Sequence, residues 1–246
     1  MNGNVETIGF FNLALAFLPV FPVLYICYRW QVEPGKALYA LGRMLIQLLL
    51  IGYCLNFIFA ADRSWVIILV LAVMLFASSW ISLTSLEAQR RLLYRQALAA
   101  IGLAGGVNLF VIAVGVLELE PWYSPRYLVP LAGMIFANAM NTVSLAAERM
   151  AAELAAGHAY DKARAVAFRA SLIPLLNSLL AVGLVSLPGM MTGQILSGVS
   201  PLIAARYQIM VMAMMLGAAG GASALFLLFS RAAYLGWRST TAEARE

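Results

Sequence analysis

Residues Ser171 to Gly198 read SLIPLLNSLLAVGLVSLPGMMTGQILSG. The first seventeen, Ser171 to Leu187, are almost wholly apolar, at the lower end of the length that crosses a bilayer core. Pro188 and Gly189 then interrupt the run where such a helix reaches the far side. Pro174, Asn177, Gly183, Pro188, Gly189 and Gly193 are poor choices for an idle anchor. Each one frees a backbone carbonyl, permits close helix approach or adds a polar group that hydrocarbon does not solvate. The segment is expected to pack, bend and line a path, with Pro188, Gly189 and Gly193 as a helix break or gate. Gly189 in particular is expected to need a positive φ or a close contact.

Composition extends this reading to the whole chain. With 63% hydrophobic and 11% charged residues and a mean hydropathy of +0.87, 246 residues cannot cover a soluble globule with polar side chains. The expected fold is all-α: a polytopic membrane protein of about seven spans, forming a single transmembrane domain over residues 1–246. The net charge of +5 is spread among short loops, which favours lipid headgroups over nucleic acid as its partner. Cys27 and Cys54 lie in apolar runs without metal-ligand spacing and read as free thiols. The segment MNGNVETIGF has no basic start or small-residue cleavage site, so it is expected to be retained.

Spans are expected at about residues 8–28, 37–60, 64–85, 96–117, 128–145, 171–187 and 208–234. Pro19 and Pro22 should kink the first. Arg43 and Gln47 share a face of the second at i, i+4. Arg43 is either a snorkelling anchor or part of a path. Gly102, Gly105, Gly106 and Gly115 in the fourth favour close packing, and Trp122, Tyr123 and Tyr127 read as an interfacial belt. If the N-terminus is outside and the C-terminus cytoplasmic, thirteen of the sixteen Lys and Arg residues, Arg238 and Arg245 among them, face the cytosol. Arg63, Arg126 and Arg206 then face outward, and this asymmetry sets the expected orientation.

Several chemistries are missing from the sequence. It has no GxxxxGK[ST], HExxH or GxSxG motif and a single histidine, His158, so no ATP hydrolysis or catalytic residue is expected of this chain. No Asp or Glu falls inside a span, which weakens a proton-coupled carrier. The polar residues left in the spans are Arg43, Gln47, Asn56, Asn108, Asn138, Asn141 and Asn177. Asparagines in that setting either bond neighbouring helices or line a path. Met190, Met191, Met210, Met212, Met214 and Met215 offer thioether ligands, or else fill gaps in packing. The candidate path comprises Arg43, Gln47, Asn138, Asn141, Asn177, Met190 and Met191, with no metal-ligand set identified.

The charged, alanine-rich stretch from Ala146 to Ala170 contains AAELAAGHAYDKA, followed by LIP at Leu172 to Pro174. It resembles the coupling loop of ABC transporter permeases, a helix that docks in a groove of a separate ATPase. The resemblance implies that Gly157 permits a turn or tight approach there and that Glu153 and Arg164 hold the helix ends. GRMLIQLLLIGY (42–53), PLAGMIFANAM (130–140), GLVSLPGMMTGQILSG (183–198) and ARYQIMVM (205–212) together resemble the FetB-like iron-export ABC permease family, with plant aluminium-tolerance relatives. That likeness covers about 170 of 246 residues. It departs at Asn177 and Leu179, where the family commonly has Asp and Lys, and in a shorter segment between Gly157 and Pro174.

The resemblance implies a bacterial inner-membrane permease subunit that exports iron or another metal ion. ATP would bind only in the separate ATPase subunit, and two permeases would pair with two ATPases. Two alternatives are a permease for a non-metal solute and a structural or regulatory membrane protein without an ATPase.

Overall fold

The computed structural model describes residues 8–59, 63–234 and 236. Residues 1–7, Asp62, Arg238 and Arg245 lie outside the described residues, as does the side chain of Asn56. Among the described residues, seven helical segments are long and apolar enough to cross a membrane, as expected. Contacts divide the chain into two units, 1–61 and 62–246.

The first unit is a helical hairpin. Helix α1 (Phe10–Leu15) and helix α2 (Val20–Arg29) form one span interrupted by a turn at 16–19. Pro19 explains the interruption, because a proline cannot donate a helical hydrogen bond and its ring crowds the carbonyl four residues earlier. Gln31, at φ +58, turns the chain into α3 (Pro34–Phe59), beside a Lys36–Glu33 ion pair of 2.6 Å. α2 packs along α3, yet none of the described residues of these three helices is buried. Phe10, Phe11, Tyr53 and Phe57 all face outward, a surface that suits hydrocarbon.

The second unit contains α4 (Ser64–Ile81), a short 3₁₀ turn (Glu87–Gln89) and α5 (Arg90–Phe110), which runs into a π-helical turn at Val111–Val116. It continues with α6 (Pro125–Ala155), α7 (Tyr160–Ala181), the short α8 (Gly189–Leu196) and α9 (Pro201–Phe229). α9 is central and packs on α5, α6, α7 and α8, while α4 lies against α5 and α6. In lipid, burying apolar surface gives helices no reason to associate, so van der Waals fit between small residues has to hold them. The core is accordingly alanine-rich, with Ala100, Ala104, Ala132, Ala139, Ala218, Ala219 and Ala222 buried. A Cβ on Gly105 would lie 2.8 Å from the Phe136 ring, and one on Gly221 would lie 3.3 Å from the Cβ of Ala104. Two of the four glycines expected to promote packing in this region do so, Gly102 against Leu75 and Gly105; Gly106 and Gly115 face open space.

The stretch at 146–170 differs from a loop bearing its own helix. It consists of the end of α6 and the first half of α7, joined by the turn at 156–159. Alanine is the strongest helix former, and here it carries both helices through the charged residues.

Candidate functional site

The two ends of the second unit are built differently. At the 156–159 end, Ala156 caps α6 and Gly157 takes φ +86. The Gly157 N–H donates to the Leu154 carbonyl at 3.0 Å and the His158 N–H donates to the Glu153 carbonyl at 3.2 Å. This paired closure of a helix end requires a left-handed residue, which is why glycine stands there. The expected turn is present, whereas a Cβ on Gly157 would meet nothing within 4 Å among the described residues.

Glu153 is 7% exposed and is held on both oxygens, by the Arg149 guanidinium and by His158 Nδ1 at 2.5 Å. Arg164 does not join this group; it pairs with Asp161 at 3.2 Å on α7. Further contacts tie this end together. The Tyr160 hydroxyl donates to the Leu227 carbonyl, Tyr234 donates to the Ala147 carbonyl at 3.2 Å, and the Ser171 and Ser223 hydroxyls meet at 2.8 Å. Ala146, Ala147 and Met150 of α6 are fully buried here, as is Phe226 of α9, and a smaller cavity of about 210 Å³ lies beside Arg164, Phe168 and Leu227.

The opposite end is open. α7 stops at Ala181, Val182 leaves the helix in extended conformation, and Gly183 turns at φ +83. The Val185 N–H donates to the Ala181 carbonyl at 2.8 Å and the Gly183 N–H to Ser186 at 2.9 Å, closing a tight turn. Pro188 is the N-cap of α8, which ends at Leu196 with Ser197 as its C-cap, and Gly198 just beyond takes φ +90. The break therefore precedes Pro188. Gly189 and Gly193 lie inside α8 without positive φ, and a Cβ on either would meet nothing within 4 Å. This corrects the expectation for Gly189: the left-handed positions are Gly183 and Gly198, which turn the chain into and out of α8.

Three cavities open around α8 and α9. One of about 600 Å³ lies between α6, α8 and α9, with Arg126, Tyr127, Met134, Met190, Gln194, Tyr207 and Met210 in its wall. Met134 and Met190 are shared with a second of about 350 Å³, which also touches Asn138, Ser178, Pro188, Gly189, Gln208, Met212 and Met215. Gln208 and Met212 continue into a third of about 430 Å³, lined in addition by Leu179, Gly183 and Met191. Arg126 to Asn138 is twelve residues of α6, or about 18 Å of helix. The cavities thus run along a length of α6 greater than half the thickness of a core of about 30 Å.

Of the expected path residues, Asn138 and Met190 meet in one cavity with Pro188 and Gly189, and Met191 lines its neighbour. The Asn138 side chain donates to the Met134 carbonyl of its own helix at 2.8 Å. Asn141 and Asn177 face outward on α6 and α7 and line none of these cavities, and Gly193 also lies outside them. Arg43 and Gln47 are exposed on α3 in the first unit. Sequence reasoning missed Gln208, which is 6% exposed with its carbonyl oxygen buried and without a hydrogen-bond partner among the described residues. The signal was a lone glutamine heading the methionine-rich run QIMVMAMM. Met134 was missed as well, because it shares no run with the other methionines.

A family model described as Uncharacterised protein family (UPF0014) matches residues 10–235. The chain is 38% identical over 197 residues to the UPF0014 membrane protein slr1647 of Synechocystis, covering 74% of this chain and 76% of that protein. It is 34% identical over 229 residues to the probable iron export permease protein FetB of Escherichia coli, covering 85% of each. To the protein ALUMINUM SENSITIVE 3 of Arabidopsis thaliana it is 31% identical over 228 residues, covering 86% of this chain and 82% of that one. No solved structure matches.

Proposed function

The chain belongs to the UPF0014 family of membrane proteins, and from that premise we propose that it is the permease subunit of an ABC exporter that moves a metal ion outward across the bacterial inner membrane. The FetB relative is named for iron export, and the cargo proposed for this chain is iron or another metal ion. The observation that carries the reading is the asymmetry of the second unit, with an end tied together around Glu153, Tyr160 and Tyr234 and an opposite end open into cavities. With the N-terminus outside, the closed end is cytosolic and the cavities face outward, the state expected of an exporter releasing cargo.

Energy comes from a separate ATPase that docks on the α6–α7 turn, in a complex of two permeases and two ATPases. Glu153 and Gly157 fix the shape of that turn, and Arg164 with Asp161 fixes the first turns of α7. ATP binds in the partner alone. Copurification of an ATPase in mild detergent, together with cellular iron content in a deletion strain, tests the reading. Absence of a copurifying ATPase, or unchanged content of iron and other metals, overturns it.

A second reading, a permease for a larger non-metal solute, is favoured by the cavity of about 600 Å³, which far exceeds one bare ion. Unchanged metal content together with an intact ATPase complex would select it.

A further inference from the structure

The cavity wall around Gln208 has a chemistry that the family relation does not supply. Met134, Met190, Met212 and Met215 line one space of about 350 Å³ on three different helices. Packing would bring one or two methionines to such a wall. Four, beside a glutamine whose carbonyl oxygen is buried without a donor among the described residues, form a set of neutral donor atoms lining a common volume. Among the described residues, no three His, Cys, Asp or Glu side chains gather as a metal site. No carboxylate lines this cavity or its two neighbours.

We propose that this cavity is a thioether site for a soft monovalent metal cation, copper(I) in chemical class, which the Gln208 carbonyl oxygen helps to hold. The proposal rests on the reading of the chain as a metal-ion permease and deepens it by naming the kind of ion the wall accepts. Two physical arguments converge. Thioether sulfur is a soft ligand that selects copper(I) over hard oxygen-seeking ions. In addition, the cost of desolvating an ion grows with the square of its charge, so a wall of neutral donors penalises a divalent ion about four times as heavily as a monovalent one. Fe(III) and Mg(II), whose sites use carboxylates and water, are excluded on both counts.

Silver(I) is the probe, being soft, monovalent and redox-inert. Cys27 and Cys54 are free thiols that would compete for it, so the measurement uses the full chain with its ATPase in a Cys27→Ser, Cys54→Ser background. Calorimetric titration should give silver binding with sulfur neighbours in X-ray absorption. The double variant Met190→Leu, Met212→Leu should weaken it at least about tenfold, and Gln208→Leu should weaken it to a smaller degree. Met214→Leu is the control, since Met214 is buried but lines none of the cavities. Fe(II) in excess should not displace the silver.

Equal silver affinity in the double variant and in Met214→Leu overturns the site, whether or not the complex exports metal. Native mass spectrometry showing an acyl chain in the cavity that silver fails to displace also overturns it. Methionine-dependent silver binding in a chain that copurifies with no ATPase supports the site and overturns the permease reading instead.

Discussion

At Gly157 and Gly189 the same residue type meets opposite demands. Gly157 closes α6 in the left-handed region, whereas Gly189 opens α8 with ordinary helical backbone. An alanine fits sterically at both, because a Cβ would meet nothing within 4 Å. The difference is therefore purely conformational. Gly157→Ala is expected to lower stability by about 1 kcal/mol, from the cost of placing an L-residue at positive φ. Gly189→Ala is expected to raise it by up to about 1 kcal/mol through helix propensity. Thermal unfolding of the purified variants in one detergent checks both signs. Glu153→Gln removes the charge that Arg149 and His158 converge on, and should reduce the amount of ATPase copurified at equal membrane abundance. A level equal to wild type would place docking elsewhere. The turn at Gly157 was legible, but the helical backbone of Gly189 and the partners of Glu153 were not, since these depend on where the neighbouring helix ends. Pro188 drew the expected break toward itself because proline marks a stop in sequence, although here it serves as the start of α8.

Among the elements, the spans were legible and their contacts were not. Runs of apolar residues announce helices whatever they touch, so the seven spans could be read from hydropathy. Their lengths could not: 146–170, expected as a helical connection of its own between two spans, continues the helices on either side of it. The cavities arise where α6, α8 and α9 converge from distant parts of the chain, so Met134 and Gln208 gave no local pattern linking them. Helix contact also sets the next expectation. Gly105→Leu must displace the Phe136 ring, which a Cβ alone would approach to 2.8 Å. The cost should be about 1–3 kcal/mol, as for other overpacked cores. Gly106→Leu, directed into open space on the same helix, should be tolerated. Comparing the two by thermal unfolding separates a packing defect from a change in helix propensity.

For the whole molecule, the expectation is a closed end that has to open. Ser171 and Ser223 touch across α7 and α9 at 2.8 Å in the end read as cytosolic. Cysteines at both positions should form a disulfide under mild oxidation, hold that end shut and abolish metal export, with recovery on reduction. Export that continues through complete cross-linking would mean that α7 and α9 move as one body. Orientation has its own test. Reporter fusions in the 117–124 loop should be active only outside the cell, and fusions at 156–159 only inside.

The 31 residues of α6 carry a mechanical implication. At 1.5 Å per residue the helix is about 46 Å long. A hydrocarbon core of about 30 Å leaves some 16 Å of it beyond the lipid. α7 runs back alongside it after the turn at 156–159, so where this excess lies at that end it forms a stiff two-helix lever with Gly157 at its tip. A swing of about 10° about the membrane surface displaces that tip by roughly 3 Å, the scale on which packed helices shift between discrete states. Force applied at the tip acts on the helix that bears Asn138 and Met134, so a push on the 156–159 turn is delivered to the cavity wall without any flexible joint in between.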